Sequence, residues 1–136
     1  MKRLLGVAIL AAVVAGGLSC GKDSTGPTGP GTFQIRLTSP AANSGVDSAI
    51  VLTIAGPAPL TSATAGAGLR LFSQPFTGTT TRIAITGQLS NGATILTIGV
   101  ADVRAVSQYS GTIQGVAQPN YQLRVLPGGY GLAVIR

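Results

Sequence analysis

Thr81 to Val100 reads TRIAITGQLSNGATILTIGV. In its first six residues Ile83 and Ile85 alternate with less apolar neighbours, the period-two pattern of a half-buried strand. Its last eight, Ala93 to Val100, are rich in Ile, Leu, Thr and Val, which suit a pleated, packed surface. Asn91-Gly92 lies between the two runs and fits the positive φ angles of a tight turn. The interval from Gly87 to Gly92 exceeds a minimal loop. The expectation is therefore a wide or bulged hairpin joining two neighbouring strands.

The same alternation recurs on both sides. Phe33-Gln34-Ile35-Arg36-Leu37-Thr38 places Phe33, Ile35 and Leu37 on one face, and Ser39 to Gly45 reads as a loop. Ala49 to Ile54 is more apolar and therefore more central, and Gly56-Pro57-Ala58-Pro59 ends it. Leu60–Ala65 and Leu69–Ser73 read as short strands, the second ending near Pro75. Tyr121-Gln122-Leu123-Arg124-Val125 alternates again, with Tyr121 on the apolar parity. Pro127-Gly128-Gly129 turns the chain, and Tyr130 to Ile135 returns as the last strand. Between Asp102 and Ala117, Asp102 suits the cap of a short helix carrying Val103, Val106 and Tyr109, while Tyr109 to Val116 suits a strand. The segment is read as a turn followed by a strand.

Glycine is abundant at 20 residues, Glu is absent, and Thr, Val, Ile, Leu and Ser fill much of the chain. That composition favours strands and turns over helices. About seven to nine short strands between residues 33 and 136, with turn signals every ten residues or so, predict an all-β fold, an antiparallel β-sandwich. The stretch Gly92-Ala93-Thr94-Ile95-Leu96-Thr97-Ile98-Gly99-Val100, with the opening strand and Ala49–Ile54, resembles cohesin-like, Ig-like sandwich modules, whose corresponding stretch runs Gly-x-Leu-x-x-Phe-x-Val. This chain departs from them in having no aromatic residue there and in its shorter first loops. The resemblance implies the fold and not dockerin binding.

The N-terminus carries a different signal. Lys2 and Arg3 precede Leu4 to Leu18, a run without charge. A basic start, an apolar stretch of this length and then small residues make a secretory signal peptide over residues 1–19. The run falls short of the ~20 residues of a permanent span. It ends Gly17-Leu18-Ser19-Cys20, and Cys20 is the only cysteine. The ending resembles the lipobox of bacterial lipoproteins, with Gly17 where a large aliphatic residue is usual. The resemblance implies cleavage between Ser19 and Cys20 and a diacylglycerol thioether on Cys20. A lone cysteine in an exported chain has no partner within the chain, and an exposed thiol is a liability in an oxidising compartment. Each buried acyl CH₂ contributes about 0.8 kcal/mol, so two or three chains hold where one does not.

Residues 20–32 form a Gly/Pro/Thr tether. Its start, Cys20-Gly21-Lys22-Asp23-Ser24-Thr25-Gly26-Pro27, is similar to the openings of other bacterial lipoproteins. Extended at ~3.1 Å per residue, the twelve residues from Gly21 reach about 37 Å. The tether can lift a small domain clear of lipid headgroups.

The residue inventory narrows the chemistry. There is no His, Glu or Trp, so metal sites built on His or Cys and Ser-His-Asp or Cys-His catalysis are not expected. Glycoside hydrolysis needs two close carboxylates, and only Asp47 and Asp102 fall in the domain. Asn43 and Asp47 are a thin set for calcium. Asp102 with Arg104 reads as an ion pair that positions a loop. Tyr109, Tyr121, Tyr130, Phe33, Phe72 and Phe76 offer a sugar-stacking platform only if exposed, and Phe33 and Tyr121 fall on the buried parity of their strands. Gly66-Ala67-Gly68 and Gly128-Gly129 lack the Gly-Lys-Ser/Thr of a phosphate loop. After residue 20 the chain holds seven basic residues and three acidic ones, 7 − 3 = +4, with arginines placed singly. Scattered arginines keep a sparsely charged surface soluble, and a nucleic-acid partner is not expected.

The expected function is a lipid-anchored binding or structural module of the cell envelope, with no catalytic residues, cofactor or metal. Its partners would be the membrane, through the anchor, and a protein or envelope polymer. An enzyme or enzyme accessory acting through Asp47 or Asp102, and a subunit of a surface assembly, are the alternatives.

Overall fold

In the computed structural model, which describes residues 28–126 and 128–136, the alternating segments become eight strands in two stacked sheets. The expected leader, the expected cleavage site at Ser19, Cys20 and most of the segment read as a tether lie outside the described residues, as does Pro127. The strands are β1 (Gly31–Thr38), β2 (Ala49–Ala55), β3 (Ser62–Ala65), β4 (Arg70–Ser73), β5 (Thr80–Thr86), β6 (Thr94–Val100), β7 (Ser110–Ala117) and β8 (Gly131–Ile135). The first sheet has the order β3-β6-β1-β8 and the second β4-β5-β2-β7. All pairings are antiparallel, giving the expected β-sandwich.

Period-two patterning explains which side chains meet. Phe33, Ile35 and Leu37 of β1 face Ile50, Leu52 and Ile54 of β2 and Ile83 and Ile85 of β5, all at most 1% exposed. Each such side chain contributes about 1.5–3 kcal/mol by leaving water. A bulge where β1 pairs with β6 leaves Ile95 outside the regular register, and both Ile95 and Leu96 are fully buried.

The connection after β5 is not the expected hairpin. β5 belongs to the second sheet and β6 to the first, so Gly87 to Ala93 crosses the top of the sandwich. Leu89, 1% exposed, gives the physical reason: it plugs the end of the core, and its backbone bonds Asp47 and Gly45 instead of a neighbouring strand. Gly92 does adopt positive φ (78°), but it turns the chain onto β1, where its N–H donates to the Leu37 carbonyl at 2.7 Å. Only β4 and β5 pair with a sequence neighbour.

The segment after β6 combines both local signals. Asp102 caps a 3-10 turn over Val103–Gln108 by accepting from the Arg104 N–H, and β7 follows. Tyr109 tucks under the core edge-on to Phe33, with ring centroids 5.4 Å apart.

A second expectation fails at Tyr121–Val125. The segment forms one isolated bridge, Ala117 with Leu123, and is not a strand. Tyr121, Leu123 and Val125 are 80%, 75% and 89% exposed, so the parity is inverted. Arg124 turns inward to the buried Asp47 carboxylate, and its neighbours Leu123 and Val125 are thereby turned out.

Candidate functional site at the pole opposite the tether

The two ends of the sandwich differ. The tether enters where Gly31 opposes Val100. There the Gly29 N–H donates to Asp102 at 3.4 Å and the Val103 N–H donates to the Gly29 carbonyl at 2.9 Å. Arg104 grips Asp102 through Nε at 3.1 Å and Nη2 at 2.9 Å. Hydrogen bonding by that guanidinium, helped by the Arg104 and Gly29 backbone N–H groups, holds the Asp102 carboxyl at about 2, below its ordinary 3.8. The Asp102–Arg104 pair positions a loop, as its spacing suggests, and fixes the tether's point of entry.

The opposite end is organised around Asp47, 1% exposed. Its carboxylate accepts from Arg124 Nε and from the Tyr130 hydroxyl at 2.7 Å, and that hydroxyl accepts from Asn43 Nδ2. Burial and the hydrogen bond to Asp47 both raise the Tyr130 phenol above its ordinary range. Asn43 and Asp47, weighed in the sequence as calcium ligands, are thus committed to Arg124 and Tyr130. The network joins the loop before β2, the arm after β7 and the start of β8.

Asp47 and Asp102 stand at opposite ends of strands about 20 Å long. They cannot flank one glycosidic bond, which needs carboxyl groups within about 10 Å.

Beside the Asp47 network lies an open cleft of about 710 Å³, lined by Ser48, Arg70, Thr86, Gln88, Pro119 and Tyr121 among others. One wall is a turn in which the Tyr121 N–H donates to the Gln118 carbonyl at 2.8 Å and the Gln118 N–H to the Gln122 carbonyl at 3.0 Å. Tyr121 has φ of 62°, in the left-handed region where glycine is the usual residue of such hairpin loops. A bulky side chain there costs about 1 kcal/mol. The strained residue holds an aromatic ring out in solvent.

The cleft opens onto the outer face of the second sheet. Arg70 opposes Thr86 and Phe72 opposes Ala84, which in turn opposes Val51. Arg82 projects on the same side, level with Gln74, whose N–H donates to the Arg82 carbonyl at 3.2 Å. Phe72 is 59% exposed. The six aromatics considered together in the sequence are therefore divided. Phe33 and Tyr109 are core, Phe76 packs against it, Tyr130 serves Asp47, and only Phe72 and Tyr121 are exposed. The placement of Tyr121 corrects the expectation from its parity. Of the glycine-rich pieces, Gly68 (φ 74°) lines the cleft as part of the β3–β4 turn.

Neither Cys20 nor Ser19, the residues assigned to lipidation and cleavage, lies within the described residues. Arg70, Phe72, Arg82 and Tyr121 were not singled out together by sequence reasoning. The available signal was charge arithmetic: Asp102 has an arginine two residues away, and a single remaining domain acid cannot neutralise the other arginines.

Compared with protein-family models, curated proteins and solved structures, the chain matches none of them.

Proposed function

We propose that this protein is a lipid-anchored display module of a bacterial cell envelope, whose β-sandwich binds an envelope component at the end away from its tether. The observation that carries the reading is polarity. Gly29 and Gly31 enter at the Asp102 end, while the cleft with Arg70 and Tyr121 opens at the Asp47 end. Strands of about seven residues at ~3.3 Å each put more than 20 Å between them. A domain held at Cys20 would thus turn its cleft away from the lipid. The leader, the lipobox-like Gly17-Leu18-Ser19-Cys20 and the Gly/Pro tether supply the anchor in this reading.

The test is intact mass and membrane fractionation of the full-length chain beside Cys20→Ala, expressed in a bacterial host. The wild type is expected to lose residues 1–19, gain the mass of acyl chains and pellet with membranes, while the variant does none of these. A wild type that is cleaved, unlipidated and soluble overturns the anchor.

A further inference from the structure

We propose that the outer face of β4 and β5, continued by the cleft at Tyr121, is a binding strip for a linear carboxylated polysaccharide. The inference rests on the display-module reading and names the ligand class for that module.

Charge is the first argument. The described residues hold six arginines and two aspartates, 6 − 2 = +4. Both aspartates are engaged within the fold, Asp47 by Arg124 and Asp102 by Arg104. Arg70 and Arg82, exposed on the second sheet, are therefore paired with neither aspartate. That leaves both guanidinium groups open to the acids of a ligand. Two cations set apart along one edge suit a polymer that carries acids at intervals better than a single compact anion. From Arg70 to the level of Gln74 and Arg82 is four residues, about 13 Å of strand.

Surface chemistry is the second. Phe72 lies between the two arginines on β4, and Tyr121 stands on the cleft wall opposite Arg70. An exposed aromatic ring on a rigid element offers a flat apolar face at little entropic cost. Sugar rings present flat C–H faces and hydroxyl rims. They can stack on Phe72 and Tyr121 while their carboxylates meet Arg70 and Arg82. Gln88, Ser48 and Thr86 in the cleft supply hydroxyl and amide partners. Backbone strain at Tyr121 fits this role, since the ring is 80% exposed and contributes little to the core.

Position is the third. The strip lies along the second sheet and ends at the pole opposite the tether, which in the display-module reading points it away from the chain's own membrane. The arginines are spaced singly and interleaved with small neutral residues, in contrast to the clustered cations of a nucleic-acid surface.

The test is affinity electrophoresis of the full-length chain in neutral detergent micelles. The probes are polygalacturonate and the same polymer after reduction of its carboxyl groups. Retention by polygalacturonate that disappears with the reduced polymer and falls as salt rises is the expected result. Arg70→Gln and Arg82→Gln are each expected to weaken binding about fivefold, the scale of an exposed charge pair. Arg36→Gln, on the outer face of the first sheet, removes the same charge and is expected to leave binding unchanged. Tyr121→Gly, placing the favoured residue at the positive φ, is expected to keep the melting temperature and lose about fivefold in affinity. Equal binding of both polymers, no binding, or equal loss with Arg36→Gln overturns the proposal. Tighter binding to single-stranded DNA or to phosphatidylglycerol vesicles also overturns it and reassigns the strip. Because the assay runs in micelles, its outcome is independent of whether Cys20 anchors the chain. Fractionation judges the anchor and electrophoresis judges the strip.

Discussion

Replacing Asp47 by Asn tests how much of the far pole depends on one buried charge. The change keeps the side chain's shape. It removes the acceptor that takes both the Arg124 Nε–H and the Tyr130 hydroxyl. An amide can accept at its oxygen, but its NH₂ then faces a donor. Tyr130 cannot readily absorb that donor, because its hydroxyl already accepts from Asn43 Nδ2. A lost charge-assisted hydrogen bond is worth about 1.5–3 kcal/mol and an unsatisfied buried donor about 1–3 kcal/mol. The Arg124 side chain retains 20% exposure, so water can solvate part of its charge and the lower half of the range applies. The expected loss is about 3 kcal/mol. With an unfolding entropy of about 0.23 kcal/mol/K for a domain of this size, the melting temperature falls by about 13 °C. Thermal unfolding followed by far-ultraviolet circular dichroism measures it. Adding Arg124→Met to Asp47→Asn should restore about half the loss, because breaking a buried pair from one side costs more than removing both charges. An Asp47→Asn protein melting within about 3 °C of wild type would refute the reasoning.

Three further outcomes follow from packing and ionisation. Gly56→Ala is expected to destabilise by about 2 kcal/mol in chemical denaturation, because its Cβ would sit 2.2 Å from the Tyr109 ring, itself wedged against Phe33. Ser39→Ala should raise stability by about 1 kcal/mol in the same assay, since the Ser39 hydroxyl is buried without a hydrogen-bond partner. Burial is the main cause that lifts the phenols of Tyr109 and Tyr130 above their ordinary 10.0. A pKa raised on folding means stability that is whole below pH 10 and drains as pH climbs through the folded values. Wild type should therefore lose stability in that alkaline range, and Tyr130→Phe should show a shallower fall. Denaturant midpoints measured against pH check this, and an equal fall in the variant would count against a raised Tyr130.

Local patterning carried the strands but not their partners. The alternation at Phe33–Leu37, Ala49–Ile54 and Thr81–Ile85 is a property of neighbouring residues, and burial of those isoleucines and leucines confirms it position by position. Asn91-Gly92 correctly announced positive φ at Gly92. It could not announce that the chain would cross between sheets, because that depends on Leu89 finding the end of a core built from distant strands. The same limit applied to the site. Arg70, Phe72 and Arg82 come together through the pairing of β4 with β5, and Tyr121 joins them only because the arm after β7 folds back over the same end.

Local sequence therefore specifies the all-β class and where most of the strands run. These follow from period, composition and order along the chain, which act over a few residues at a time. Long-range packing settles which face Tyr121 to Val125 turns outward, which arginines the two aspartates take, and which end of the sandwich lies away from Gly31. Each depends on Asp47 meeting Arg124, 77 positions further along the chain, and on strands that pair with distant partners. Because side chains alternate along an extended segment, the turn of Arg124 toward the buried Asp47 carboxylate sends Leu123 and Val125 to the outside.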